Sequence, residues 1–325
     1  MCATIRPTMP MSPASIAASP VALCRRVRRR APRLGLAALL ALALGAGASE
    51  AAPPESAAAL RERFAAVRAQ PRAHPFGEPV YLQALESADR VQGDVYALIA
   101  VPYAEARPAL ERIDDWCRIL TLHLNVKYCR PSGEDARKTL TVGVAPKYEQ
   151  SLSSVNWVQF GLQPPIATDE YLRMALRASS GPFGTGDYGL SVELTPFEGR
   201  TLLHLSYGYS FGVTADAAMQ AYLATLGRNK VGFTVTGRQA DGQPIYVQGL
   251  RGVIERNVMR YYFAFDAYLG AQRRPPQERL VSSLQDWFDA TERYPRQLHE
   301  VSRHEYLDMK LREFARQQVA TPPPQ

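Results

Sequence analysis

The chain is poor in the residues that carry most metal and thiol chemistry. Its 325 residues include four cysteines and five histidines. Cys2 and Cys24 precede an apolar run near the N-terminus, which leaves Cys117 and Cys129 for the body of the chain. Their spacing is not a zinc pattern, and no histidine pair accompanies them at ligand spacing, so no metal is expected. An excess of one charge is missing as well. The formal charge is +7, but seven of the 38 basic residues, and one of the 31 acidic ones, lie within residues 1–51. The remainder is close to neutral. A nucleic-acid binder carries its basic excess on the folded domain, so no nucleic-acid partner is expected. No internal repeat is present, and the N-terminal apolar run falls short of the roughly 20 residues that span a membrane.

What is there begins with "CRRVRRRAPRLGLAALLALALGAGASEAAP". Clustered arginines precede an apolar run from Leu34 to Ala46, and Ala46-Gly47-Ala48 fits an A-x-A cleavage site. This is the three-part layout of a secretory signal peptide. Residues 1–48 are therefore expected to direct export, giving a periplasmic or secreted protein. In an oxidising compartment two cysteines favour a bridge, Cys117 to Cys129.

Residues 49–78 read as an N-terminal helix and linker, with Leu60, Phe64 and Val67 at helical spacing. Residues 79–318 form the main domain, and 319–325 read as a disordered tail. The domain opens with the strand "DRVQGDVYALIAVPY" and one helix, "AEARPALERIDDWCRIL", lined by Ala106, Leu110, Ile113 and Cys117. Short alternating runs follow at 122–129, 138–145, 155–163, 171–180, 188–197 and 200–212. Turn residues separate them, and there is no room for helical crossovers, so an antiparallel meander is expected. The period then changes to a helix at 214–227. A hairpin turning at Asp241-Gly242 comes next. An apolar helix at 253–269 presents Ile254, Val258, Tyr261, Phe265 and Leu269. Two further helices, broken near Pro295, fill 277–318.

Three motifs invite a chemical reading. "SSGPFGTGDYGLSVEL" is glycine-rich, but a phosphate loop runs into a helix and carries a Lys-Ser/Thr pair. Here an alternating strand follows, so the glycines read as a hairpin turn taking positive φ. His299-Glu300 and His304-Glu305 resemble half-sites of a zinc motif, but histidines five apart diverge around a helix. His204 and Ser206 share a strand face with no orienting acid nearby in sequence, which makes a catalytic pair unsupported. Arg228, Lys230, Arg256 and Arg260 cluster after the sheet. Arg256 and Arg260 are i, i+4, and either receive an anionic head group or pair with Glu255, Asp266 or Asp289.

The segments "GDVYALIAVPYAEARPALERIDDW", "SSGPFGTGDYGLSVELTPFEGRTLLHLSYGY" and "YLATLGRNKVGFTV" resemble the START-like group of polyketide cyclase and Bet v 1-type domains. The resemblance runs from about Gly93 to Gly232. It implies an α+β helix-grip fold: a curved antiparallel sheet packed on a C-terminal helix, here with additional C-terminal helices. It further implies a cavity that takes an apolar small molecule or lipid, with no cofactor. Tyr207 and Tyr209 share a strand face. Together with Tyr261, Arg256 and Arg260 they are the candidate ligand-binding residues. Trp157, Phe160, Tyr188, Phe211, Tyr222, Tyr262 and Phe265 are further candidates for the interior. The resemblance leaves open which following helix grips the sheet; the apolar row of 253–269 makes that helix the candidate. Two other classes remain: an envelope scaffold with a filled core, using exposed Trp287 and Phe288 for peripheral membrane or protein contact, and a cyclase- or hydrolase-type enzyme. The lack of a nucleophile–base pair weighs against the enzyme.

Intact-mass analysis of the exported protein is expected to find a chain starting after Ala48 or Ala51. Retention of residues 1–45 would refute the leader.

Overall fold

Alternation of apolar and polar side chains builds one large sheet, and one helix buried on nearly every side fills it. The computed structural model describes residues 55–71, 74–76, 80–134, 137–212 and 230–319. The expected leader, the helix at 214–227 with Tyr222, the following Arg228, and residues 320–325 of the expected tail lie outside these. The described strands are β1 (Val80–Glu86), β2 (Arg90–Ile99), β3 (Val126–Ser132), β4 (Thr139–Val144), β5 (Asn156–Leu162), β6 (Ile166–Ala167), β7 (Leu172–Ser180), β8 (Thr185–Phe197), β9 (Arg200–Phe211), β10 (Val235–Arg238) and β11 (Pro244–Tyr246). The helices are α1 (Ala57–Arg68), α2 (Tyr103–Glu111), α3 (Ile113–Leu120), α4 (Gly249–Ala271), α5 (Arg279–Glu292), α6 (Pro295–Leu298) and α7 (Arg303–Val319). The nine-stranded sheet runs β1-β2-β9-β8-β7-β5-β4-β3, with β6 beside β7, and its pairs are antiparallel. The expected α+β helix-grip architecture is present, and α4 is the gripping helix.

α4 spans 23 residues and buries Ile254, Val258, Met259, Phe263, Phe265 and Leu269 among others. Together with Glu255, Arg256 and Arg260, these residues leave α4 buried on nearly every side. The sheet takes one side and α5 takes the other, with α7 packed over α5. Gly93 on β2 permits the closest approach, because a Cβ there would stand 2.8 Å from Val258 Cγ1. Glu255 anchors the N-terminal end of α4. Its carboxylate accepts the N–H groups of Phe233 (2.7 Å) and Thr234 (2.9 Å) and the Thr234 hydroxyl (2.7 Å).

α7 covers the edge strand β3, whose outward backbone groups would otherwise invite pairing with another chain. Gln317 Oε1 accepts the Cys129 N–H (3.0 Å), Lys310 Nζ donates to Val126 O (2.9 Å), and Arg316 donates to Lys127 O (3.3 Å). Lys310 and Lys127 are fully buried and share Glu313, at 2.8 and 3.2 Å. On the opposite face of the sheet, α1 buries Leu60, Phe64 and Val67 against Tyr81, Tyr96 and Leu202.

Several expectations are corrected. The single helix after β2 is two, because Arg112 adopts an extended conformation (φ −87°, ψ 103°) between α2 and α3. The run at 122–129 becomes a strand only from Val126, after a turn that closes α3. β1 was missed, being short and exposed at its end. Of the loop glycines between β7 and β8, only Gly184 takes positive φ (77°); Phe183 (59°) and Asp187 (47°) do so without being glycine. Gly181 instead makes room for the Tyr188 ring, which would overlap any Cβ at that position. Trp287 and Phe288 are buried, not exposed. Trp287 donates to Arg260 O (3.0 Å) and stacks on Tyr306 (4.8 Å).

Cys117 and Cys129 are bridged, joining α3 to β3 across a sequence separation of 12. In the chain-entropy account a loop of this size contributes about 3 kcal/mol. Reduction is therefore expected to lower unfolding free energy by about that amount, measured by denaturant titration with and without reductant. Two titratable thiols in the unreduced, unfolded protein would refute the bridge.

Candidate functional site

The concave face of the sheet and α4 do not close completely on one another. A cavity of about 140 Å³ remains, lined by Val142, Val158 and Phe160 from the outer strands, Tyr188 and Leu190 from β8, and Tyr207 from β9. α4 contributes Asn257 and Tyr261, one turn apart, and the turn before β3 contributes His123. Pro182, in the glycine-rich hairpin, also stands in the wall, beside the exposed Phe183. That loop thus borders the cavity without cradling a phosphate. Its Thr185 hydroxyl lies 2.6 Å from the Tyr188 hydroxyl.

Aromatic rings form a continuous wall. Tyr207 meets Tyr261 at 5.0 Å, Tyr261 meets His123 at 4.6 Å, and Tyr188 stacks on Tyr209 at 5.2 Å. Tyr207 and Tyr261 line the cavity directly, while Tyr209 stands behind Tyr188. Burial pushes the hydroxyl pKa values of Tyr207, Tyr209 and Tyr261 upward, so all three remain neutral donors. The other sequence candidates divide. Phe160 and Tyr188 line the cavity; Phe265 packs on Trp116 (5.2 Å), and Trp157 packs on Tyr128 (5.4 Å).

Arg256 and Arg260 are buried but do not line the cavity. They leave α4 on a neighbouring face of the helix. Arg260 pairs with Glu300 (2.9 Å) and donates to Leu298 O (3.4 Å). Lys147 (2.5 Å) and Lys230 (2.9 Å) share the same carboxylate. The acid for Arg260 is thus none of the three considered from sequence. Glu300, half of one His-Glu motif, instead ties the last helices to α4. His299 faces Glu292 (2.9 Å) and His304 faces Asp308 (3.3 Å).

His123 and Asn257 are polar cavity residues that the sequence reading missed, and His123 is the more deeply buried. Nothing local marks it, since it stands in a turn with apolar neighbours. A larger cleft, about 500 Å³, lies on the outside of the fold next to the disulfide. Arg118, Arg130 and Arg279 line it, and Arg130 is exposed. A cleft with three arginines in its wall makes a poorer receptor for an apolar molecule than an apolar cavity with few polar groups.

No protein-family model matches the chain, and no curated protein matches it. Among solved structures it is similar to the protein TTHA0849 from Thermus thermophilus, at 13% identity over 57% of this chain and 99% of that one, TM-score 0.36. It is also similar to norcoclaurine synthase from Thalictrum flavum, solved with dopamine and hydroxybenzaldehyde, at 9% identity over 49% and 90%, TM-score 0.31. A third is the ZhuI aromatase/cyclase from Streptomyces sp. R1128, at 11% identity over 46% and 86%, TM-score 0.30.

A second buried polar group lies on the convex face, beneath α1. His204 is held at both ring nitrogens, by Glu193 Oε2 (2.6 Å) and Asp94 Oδ1 (3.0 Å), and stacks on Tyr96 at 4.2 Å. Glu193 also accepts from Arg63 (2.7 Å) and from the Tyr171 hydroxyl. Neither ring nitrogen is left to act as a base, so the cluster is a structural clasp. Burial would lower the His204 pKa, but hydrogen bonds to both carboxylates and their charges outweigh it and the pKa is raised. Burial would raise both carboxylates, yet bonding to His204 and its charge hold Asp94 down and Glu193 at about 2.

The signs give a pH prediction. The carboxylates' contribution is present above their unfolded values, near pH 4, and is lost as pH falls through the folded ones. His204 contributes fully below its unfolded value, about 6.5, and loses that contribution as pH rises through its raised folded value. His204→Gln leaves two buried carboxylates facing each other and is expected to cost about 3 kcal/mol or more at pH 6. In the variant these acids protonate readily, so the deficit should shrink toward pH 3. Urea titrations across that range check this; a deficit independent of pH would refute it.

Proposed function

We propose that this protein is an exported, periplasmic or secreted, binding module that holds a small apolar molecule between the concave face of the sheet and α4. The observation that carries the reading is the cavity itself. It is walled mostly by aliphatic and aromatic side chains, with Tyr207, Tyr261, His123, Asn125 and Asn257 supplying polar groups. An apolar space with a few polar groups at one end is the usual form of a small-molecule site.

Volume sets the size of the ligand. An apolar cavity of about 150 Å³ holds benzene, so about 140 Å³ suits a ligand of about one ring. A lipid chain or a polycyclic isoprenoid needs more room, and we place the ligand at the small end of the apolar range. The scaffold reading loses its main support, because Trp287 and Phe288 pack inside the fold.

Toluene is expected to raise the stability of the full chain. At a free concentration one hundred times Kd the gain is about 2.7 kcal/mol. Val158→Phe fills the space with a ring from β5 and is expected to abolish the gain while leaving the circular dichroism spectrum unchanged. A folded wild-type protein that shows no thermal shift with toluene, benzene or indole would overturn the reading.

A further inference from the structure

Beside the Asn125 and Asn257 amides, the cavity wall holds three side chains that can donate a hydrogen bond: His123, Tyr207 and Tyr261. His123 Nδ1 accepts the Asn125 N–H at 3.1 Å, which leaves the ring proton on Nε2. His123 is 3% exposed, and its Nε2 has no hydrogen-bond partner among the described residues. Tyr207 and Tyr261 continue the same wall. A buried donor without an acceptor costs free energy that a ligand oxygen can recover.

The surroundings carry more positive than negative charge. Lys310 Nζ donates to the backbone carbonyl of His123 itself (2.9 Å) and, with Lys127, shares Glu313. Arg260, next to Tyr261 in sequence, shares Glu300 with Lys147 and Lys230. Among the described residues, five cations thus stand against two carboxylates behind this end of the cavity.

Taking the cavity as the binding site proposed above, we propose that its ligand is a monocyclic carboxylate, ring among the apolar walls and carboxylate oxygens accepting from His123 Nε2, Tyr207 and Tyr261. Burial, and then the charges of Arg260, Lys310, Lys147 and Lys127, push the His123 pKa well below its ordinary value. The ring is therefore a neutral donor at pH 7, and the neighbouring cations favour an anion beside it. Hydrogen bonds to a charged acceptor are about twice as strong as those to a neutral one.

The test compares benzoate, benzaldehyde and toluene by isothermal titration calorimetry on the full oxidised chain at pH 7. Benzoate is expected to bind at least about tenfold tighter than toluene, the factor for one charge-assisted hydrogen bond. Tyr207→Phe and Tyr261→Phe keep the ring and remove the donor; together they should lower benzoate affinity at least about tenfold relative to toluene measured on the same variant. His123→Phe should act likewise, and the two tyrosine variants carry the test if it fails to fold. Benzoate binding no tighter than toluene would overturn the carboxylate assignment and leave the cavity reading standing. Benzaldehyde matching benzoate would overturn the anionic part. No binding of any probe to folded wild-type protein would overturn the cavity reading and this inference together.

Discussion

A helix of 23 residues that is buried along most of its length has to be enclosed, and most of the architecture is a response to α4. The sheet curves around one side, closest at Gly93, where even a methyl group would press on Val258. α5 covers the other side, and α7 closes over α5. Each covering element brings its own requirement. Strand β3 lies at the end of the sheet, and α7 satisfies its outward backbone groups with Lys310, Arg316 and Gln317. The Cys117–Cys129 bridge then holds β3 to α3.

The cavity exists because this enclosure is incomplete at one end. α4 lies tight against β2, while toward β4 and β5 the strands diverge from it, and the side chains of Asn257 and Tyr261 do not fill the gap. Tyrosine suits such a wall: its ring covers apolar surface and its hydroxyl offers a donor. An all-leucine lining would have removed both the space and the donors.

Three charge clusters among the described residues sit inside the fold, and each converges on a single group. Glu300 gathers Arg260, Lys147 and Lys230; Glu313 gathers Lys127 and Lys310; His204 joins Asp94 and Glu193. Buried pairs are weak contributors to net stability, but removing one partner leaves an uncompensated charge. Their effect is to specify placement. α4 is joined to the segment after α6, α7 to β3, and α1 through Arg63 to the β8–β9 hairpin, each by a contact that a shifted packing would break.

What the sequence determined by itself is what depends on near neighbours along the chain. Side-chain alternation has a period of two in strands and 3.6 in helices. That was enough for α1 with Leu60, Phe64 and Val67, for the meander from β4 to β9, for the long helix now seen as α4, and for reading the glycine-rich loop as a hairpin. The aromatic row at Tyr207 and Tyr261 followed from the same periods. Tertiary structure alone decided the partners. His204 showed no acid nearby in sequence, yet strand register brings Asp94 from β2 and Glu193 from β8 to its two nitrogens. Arg260 found Glu300, forty residues on, because α6 folds back onto α4. His123 entered the cavity wall only because α3 ends in a turn there, and Trp287 and Phe288 became core only when α7 closed over them. Local periodicity says which face a side chain takes; what meets that face is set by the register of strands and helices far apart in the chain.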